Sequence, residues 1–182
     1  MGTMTFYGAK DLAASFRTVR GNTLTIANDL TEEQYGFSPA AGSRTAGQIL
    51  THIALGSKFQ EMIHMEEKRN NFDGMDFPAL VARMTAEEDK PRTKAEIIAL
   101  LKQNSDHFAN WLETVSDEFL AEPVGMPAGA SPASKTRFEM LMGVKEHEMH
   151  HRGQLMLIQR MLGATPHLTR QMTERMAAMR QK

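Results

Sequence analysis

A chain of 182 residues, 41% hydrophobic and 24% charged, carries enough material for a single domain over 1–182 with a sizeable core. Its formal net charge of −1 gives no reason to expect a nucleic-acid partner, and the lack of cysteine excludes disulfides, thiolate metal sites and a cysteine nucleophile. No apolar run reaches the roughly 18 residues of a membrane span, and the opening MGTMTFYGAKDLAASF meets Lys10 and Asp11 too early for a signal peptide, so a cytoplasmic protein is expected.

Helical periodicity dominates the rest, with little strand-like alternation and no repeat of fixed period. The first helix is predicted from Gly8 to Leu30, where Leu12, Phe16, Val19, Thr23, Ile26 and Leu30 recur in alternating steps of four and three. Gly36, Pro39 and Gly42 break it. The second helix starts near Thr45, with Gln48 at capping-box spacing, and its stripe reads Ile49, His52, Gly56, Phe59, Ile63. A long connection follows, about Asn70 to Arg92, in which LVARM reads as a short helical turn. The third helix opens at Thr93, with Glu96 at the same capping-box spacing, and carries Ile97, Leu101, Asn104, Phe108, Trp111 and Val115 inward. EPVGMPAGASPAS reads as a loop. The fourth helix is predicted from about Ser134 to Leu162, with a stripe of Met140, Val144, His147, His151, Gln154, Ile158 and Met161; Gly163 ends it, and Pro166 opens a short polar C-terminal helix. Four such stripes argue for an all-α, four-helix bundle. The long connection between helices 2 and 3 is able to cross the bundle and leave them parallel.

The histidines give this bundle its chemistry. KEHEMHHRGQ, residues 145–154, holds His147, His150 and His151. His147 and His151 stand one helical turn apart on the face that otherwise carries apolar residues, and His52 lies in the apolar stripe of the second helix. Imidazoles pointing into a core need partners, and a divalent metal is the partner that three of them share most readily. Three protein ligands with an open position is the arrangement of a catalytic rather than a structural site. Gly56, one turn after His52, leaves room on the same face. Gln154 is expected to face inward and either bond a metal-bound group or orient a ligand, and Glu148 either to hold a ligand histidine or to pair with an arginine. His150 is expected at the helix flank, His64 on the surface, His107 at the core edge and His167 in solvent. HEMHH (147–151) has the letters and the i, i+4 spacing of the metalloprotease motif H-E-x-x-H, yet a zinc protease is not the expected function. No G-x-S-x-G elbow, P-loop or dinucleotide fingerprint is present.

In two places the chain resembles the DinB/YfiT-like superfamily of bacterial four-helix bundles. HEMHHRGQ (147–154) follows that family's H-x-x-H-H-R-G-Q pattern, and FSPAAGSRTAGQILTHIA (37–54) resembles its proline-containing approach to the second helix. The resemblance covers roughly residues 5–165. It implies an up-down-down-up bundle, frequent homodimers, and one divalent ion, nickel or zinc, on the positions matching His52, His147 and His151. It also implies a small-molecule substrate. Some relatives are thiol-dependent transferases or isomerases that use a low-molecular-weight thiol, which suits a chain without cysteine, because the thiol then comes from the cosubstrate. Others are regarded as metal-dependent hydrolases using metal-bound water. The expected function is therefore a metal-dependent thiol S-transferase; a hydrolase and a non-catalytic metal-binding bundle are the alternatives. Arg44, Lys58 and Arg152 are candidate contacts for an anionic cosubstrate.

Overall fold

The computed structural model describes residues 7–180. The first six residues, on which the reading of the N-terminus as no signal peptide partly rests, lie outside it, as do the last two. α1 spans Ala9–Asp29, α2 Ala46–Leu55, α3 Lys58–Glu61 with a π-turn over Met62–Glu66, and α4 Phe77–Glu88. α5 spans Lys94–Leu112 and α6 Asp117–Ala121; strands β1 (Pro123–Gly125) and β2 (Ser134–Thr136) precede α7, Arg137–Met161, and α8, His167–Arg180. The bundle consists of α1, α2 with its continuation α3, α5 and α7.

Local sequence sets the helix ends. Thr45, Thr93 and Thr136 each accept a hydrogen bond from the N–H three residues on, and Gln48, Glu96 and Glu139 bond back to the cap N–H. These capping boxes satisfy donors that a helix start otherwise leaves free. Gly163, at φ +80°, lets the chain leave α7 in a left-handed conformation that a side chain would disfavour. No helix among the described residues is long and apolar enough to cross a membrane.

Contacts between helices give their directions. Arg17 reaches Asn110 and Glu113 while Lys94 reaches the carbonyls of Asn28 and Leu30, so α1 and α5 are antiparallel. Arg20 meets Glu148 and Asp29 meets Gln159, so α7 runs with α1. Asn104 bonds the Ala54 carbonyl and His107 faces Glu61, so α2–α3 runs with α5. The order is up-down-down-up, and the crossing connection between the two parallel helices is the one that contains α4.

The core has two main apolar ends. One gathers Ile26, Leu30, Leu50, Ile53, Leu101 and Ile158; the other gathers Leu12, Phe16, Phe108, Leu112, Leu141 and Val144. Between them lies a buried polar layer. Arg20 and Glu148 are each 1% exposed. Arg20 Nε donates to both Glu148 oxygens at 3.0 Å, and the guanidinium also donates to the carbonyls of Leu101 and Ile53. Thr23 Oγ1 donates to Glu148 Oε1 at 2.6 Å. One carboxylate and one guanidinium thus join α1, α2, α5 and α7, with the hydrogen bonds that a buried charge requires.

Several expectations need correction. LVARM belongs to a helix of 12 residues, started by Asp76, whose Oδ1 accepts the Ala79 N–H, and by Pro78 in the first turn. The 122–134 segment is a hairpin, with Val124 paired to Lys135, and α7 begins at Arg137 because Ser134–Thr136 is a strand. Val124 is buried against Ile63, Phe72 and Met140, and this third cluster holds the hairpin on the bundle. Met161 is 51% exposed, although Ile158, one turn before it, is 1% exposed.

Candidate metal centre

α2 and α7 are antiparallel here, and their facing stripes bring His52, His147 and His151 together. His147 Nε2 lies 2.9 Å from His52 Nε2 and 3.1 Å from His151 Nε2. The three rings meet edge to face, with centroids 4.5–4.8 Å apart. This is the one group of three or more His, Cys, Asp or Glu found among the described residues with atoms placed to hold a metal ion.

The far nitrogens decide what the near ones can do. His52 Nδ1 stands 2.5 Å from Glu88 Oε1, so it carries the proton and donates it, leaving Nε2 with a free lone pair. His151 Nδ1 donates to Gln154 Oε1 at 2.9 Å, with the same result. Two lone pairs therefore aim at His147 Nε2, and a proton there satisfies only one of them at a time. Burial, and then the neighbouring His151, His52 and His150, push His147 down to about 4; burial also lowers His151, against the opposing hydrogen bond from Gln154. At neutral pH both rings are uncharged, the form that ligates metals. Ligands of a tetrahedral zinc ion about 2.0–2.1 Å from it stand roughly 3.3 Å apart, close to the spacing found here. The donor set fits a divalent ion, and His52–Glu88 is the carboxylate–histidine pairing that orients metal ligands elsewhere.

Gly56 has a local steric reason. A Cβ placed on it would lie 3.2 Å from His147 Nδ1 and 3.3 Å from the Ile53 carbonyl. Its helical backbone, φ −60°, would suit any residue, so the missing side chain serves the His147 ring.

Two cavities flank the group. One, about 450 Å³, includes His52, Gly56, Glu88 and His147 in its wall, with Phe59 and Met140. The other, about 340 Å³, includes His151 and Gln154, with Ser43, Arg44, Leu157 and Ile158. Arg44 Nη2 donates to Glu88 Oε2 at 3.3 Å, so an ion pair joins one wall to the other.

The structure sorts the remaining candidates. Glu148 takes the arginine partner: it turns away from the histidines toward Arg20. Gln154 is exposed rather than inward, yet its Oε1 orients His151. His150 is exposed at the flank, as expected. His64, expected on the surface, is 1% exposed, because the π-turn rotates it inward; its Nδ1 accepts from Arg137 and its Nε2 donates to Gln60. His107, expected at the core edge, is exposed beside Glu61. His167, expected in solvent, is 2% exposed, docking α8 through Asn22. Lys58 pairs with Glu61. Arg152 is half-buried and lines neither cavity. Glu88 has no role in the sequence pattern, because its helix falls within the 70–92 segment that reads as a connection; its one signal there is the acidic run of Glu87, Glu88 and Asp89.

Comparison with known proteins agrees with the fold. The Bacillus subtilis protein YjoA is 21% identical over 157 residues, covering 86% of this chain and 92% of YjoA. The crystal structure of YjoA, described as DinB-like, superposes with a TM-score of 0.61 over 85% of this chain and 93% of that one. YfiT from Bacillus subtilis, described as a probable metal-dependent hydrolase with an unusual four-helix bundle topology, is 14% identical, with a TM-score of 0.66 over 91% of this chain and 93% of YfiT. A DinB-like protein from Bacillus cereus is 17% identical, with a TM-score of 0.64 over 89% of this chain and 97% of the other. The family model of the DinB superfamily matches residues 15–155, a span that holds all three clustered histidines, and the chain belongs to that superfamily.

Proposed function

We propose that His52, His147 and His151 bind one divalent metal ion through their Nε2 atoms, and that the chain is a metal-dependent enzyme acting on a small molecule held in the adjoining cavity. The observation that carries this reading is the convergence of three imidazole nitrogens, two with their protons committed elsewhere, at the wall of a cavity of about 450 Å³. Imidazole donors suit zinc and nickel. When bound, such an ion supplies Lewis acidity and favours the deprotonated form of a thiol or water at its open position. The chain's own residues do the rest. Glu88 and Gln154 hold the ring protons on Nδ1, the Arg44 guanidinium holds Glu88, and Phe59 and Met140 give the cavity an apolar wall.

The two cavities favour a two-substrate reaction, a thiol S-transfer in which a low-molecular-weight thiol supplies the nucleophile that this cysteine-free chain lacks. The second reading, hydrolysis, is favoured by the likeness to YfiT. Elemental mass spectrometry of the untagged protein is expected to find about one divalent ion per chain, lost in His52→Ala and His151→Ala. Absence of metal, with none taken up from added zinc or nickel, would remove the enzymatic reading. Titrating thiols into the cobalt-substituted protein separates the two: a new near-ultraviolet charge-transfer band supports transfer, whereas turnover of ester or amide substrates without thiol supports hydrolysis.

A further inference from the structure

The cavity beside His52 and His147 is mostly apolar. Phe59 and Phe72 stack with centroids 6.1 Å apart and planes within 8°, and Phe77 leans on Phe72 at 5.7 Å. Met84 and Met140 extend this surface toward the histidines, and methionine adapts its shape to varied ligands. Three charged side chains also enter the wall: Glu88, Lys135 and Glu139. Two of them are committed. Glu88 holds His52 and Arg44, and Glu139 Oε2 accepts the N–H and hydroxyl of Thr136 as the cap of α7. Lys135 is different. It sits half-buried on β2 and among the described residues makes no direct hydrogen bond or ion pair; its charge acts at longer range on Glu139, whose carboxyl is held low first by its bonds to Thr136 and last by Lys135. An ammonium without a direct partner at the edge of an apolar cavity is matched by a ligand of opposite charge.

The floor is open as well. Gly143 lies one turn before His147 on α7 and lines the cavity, and a Cβ built on it meets nothing within 4 Å. The space of about 450 Å³ lies in the range of small-molecule sites.

We infer that this cavity takes a small molecule with an apolar, aromatic-sized body and an anionic end, the body against Phe59, Phe72 and Met140 and the anion against Lys135. The inference rests on the proposal that this cavity is the substrate site of the metal centre, and it names the substrate class: aryl or alkyl carboxylates and their sulfonate analogues.

The test is a fluorescence titration of the full chain with 1-anilinonaphthalene-8-sulfonate, followed by displacement with 4-phenylbutyrate or its uncharged amide, 4-phenylbutanamide. Each titration is run on metal-free and zinc-loaded protein. The carboxylate is expected to compete about tenfold better than the amide, as one partly desolvated charge contact allows. Lys135→Met and Lys135→Gln should bring the carboxylate down to the level of the amide and leave the amide unchanged. Gly143→Leu, which fills open space without meeting backbone, should abolish binding of both while circular dichroism and zinc uptake stay as in the wild type. Equal competition by carboxylate and amide, unchanged carboxylate affinity in both Lys135 variants, or undiminished binding in folded Gly143→Leu would each overturn the inference. Because the metal-free arm reads the cavity alone, discrimination kept in a chain that takes up no zinc would fell the metal proposal and leave the ligand class standing.

Discussion

Glu148→Gln tests the buried polar layer most directly. The change keeps the side-chain volume and removes the charge. Glu148 receives two hydrogen bonds from Arg20 Nε and one from Thr23 Oγ1, and both charged residues are 1% exposed. An amide offers one acceptor oxygen in place of two, and its NH2 group must then face a donor. Arg20 keeps the carbonyls of Leu101 and Ile53 but loses its counter-charge. Breaking a buried pair from one side costs about 3–5 kcal/mol. The isosteric amide retains part of the bonding, so the lower end, about 3 kcal/mol, is expected. Against a total of about 5–15 kcal/mol that is a large fraction, and it corresponds to a fall in Tm of roughly 6–12 °C for a chain of this size. Glu113→Gln, which breaks the exposed pair with Arg17, should cost at most about 1 kcal/mol. The assay is urea unfolding of metal-free protein at pH 7, followed by far-ultraviolet circular dichroism and linear extrapolation. The double variant Arg20→Met/Glu148→Leu removes both charges and should recover a substantial part of the single-variant loss. A loss below about 1 kcal/mol for Glu148→Gln, or a double variant as unstable as the sum of the singles, would refute this account of the layer.

Two further outcomes follow from the site and a third from the buried His64. Gly56→Ala places a Cβ 3.2 Å from His147 Nδ1, so zinc affinity, read by competition with a chromophoric chelator, should fall about tenfold with the fold intact; unchanged affinity would mean the ring has slack. Glu88→Gln weakens the hold on His52 Nδ1 and frees Arg44, and the same competition should show zinc binding weaker by roughly 10–100-fold. His64 is pushed down to about 4 by burial first and by Arg137 second, while the unfolded chain titrates near 6.5. Between those values the unfolded state binds more protons, so stability is full above pH 6.5 and falls as the pH drops toward 4. The difference between unfolding curves of wild type and His64→Gln over that window should reach the order of 2–3 kcal/mol, and parallel curves would show that His64 is not the group responsible.

The long helices and the three clustered histidines were legible for the same physical reason. A helix packed along its length repeats its inward residues every three or four positions, so Ile49, His52 and Ile63 on one side and Val144, His147 and His151 on the other declare their faces without any knowledge of neighbours. The parts that escaped lack that repetition. α4 has Leu80 as its buried residue and is otherwise half-covered or exposed, so its stripe carries little signal and Glu88 could not be aimed at His52. The hairpin strands hold three residues each, too short for alternation to register, and Val124 is buried only because Ile63, Phe72 and Met140 come from elsewhere in the chain. His64 escaped because a π-turn changes the angle between successive residues, which moves a position that regular α-helix would leave outside.

His147 and Glu148 show how finely the site depends on that periodicity. They are consecutive on α7, about 100° apart around it. One faces α2 and the histidine cluster, and the other faces α1 and the Arg20 guanidinium. A one-residue slip of α7 would set a carboxylate among the imidazoles and an imidazole against a buried guanidinium, so both polar assemblies would fail together. The Arg20–Glu148 pair therefore opposes rotation of α7, and through the Ile53 carbonyl it also grips α2 one residue beyond His52. The buried pair thus holds both histidine-bearing helices in register. Glu148→Gln should accordingly lower zinc affinity as well as stability, although Glu148 touches none of the three histidines; an unchanged affinity in the folded variant would show that the Glu88 and Gln154 contacts fix the rings unaided.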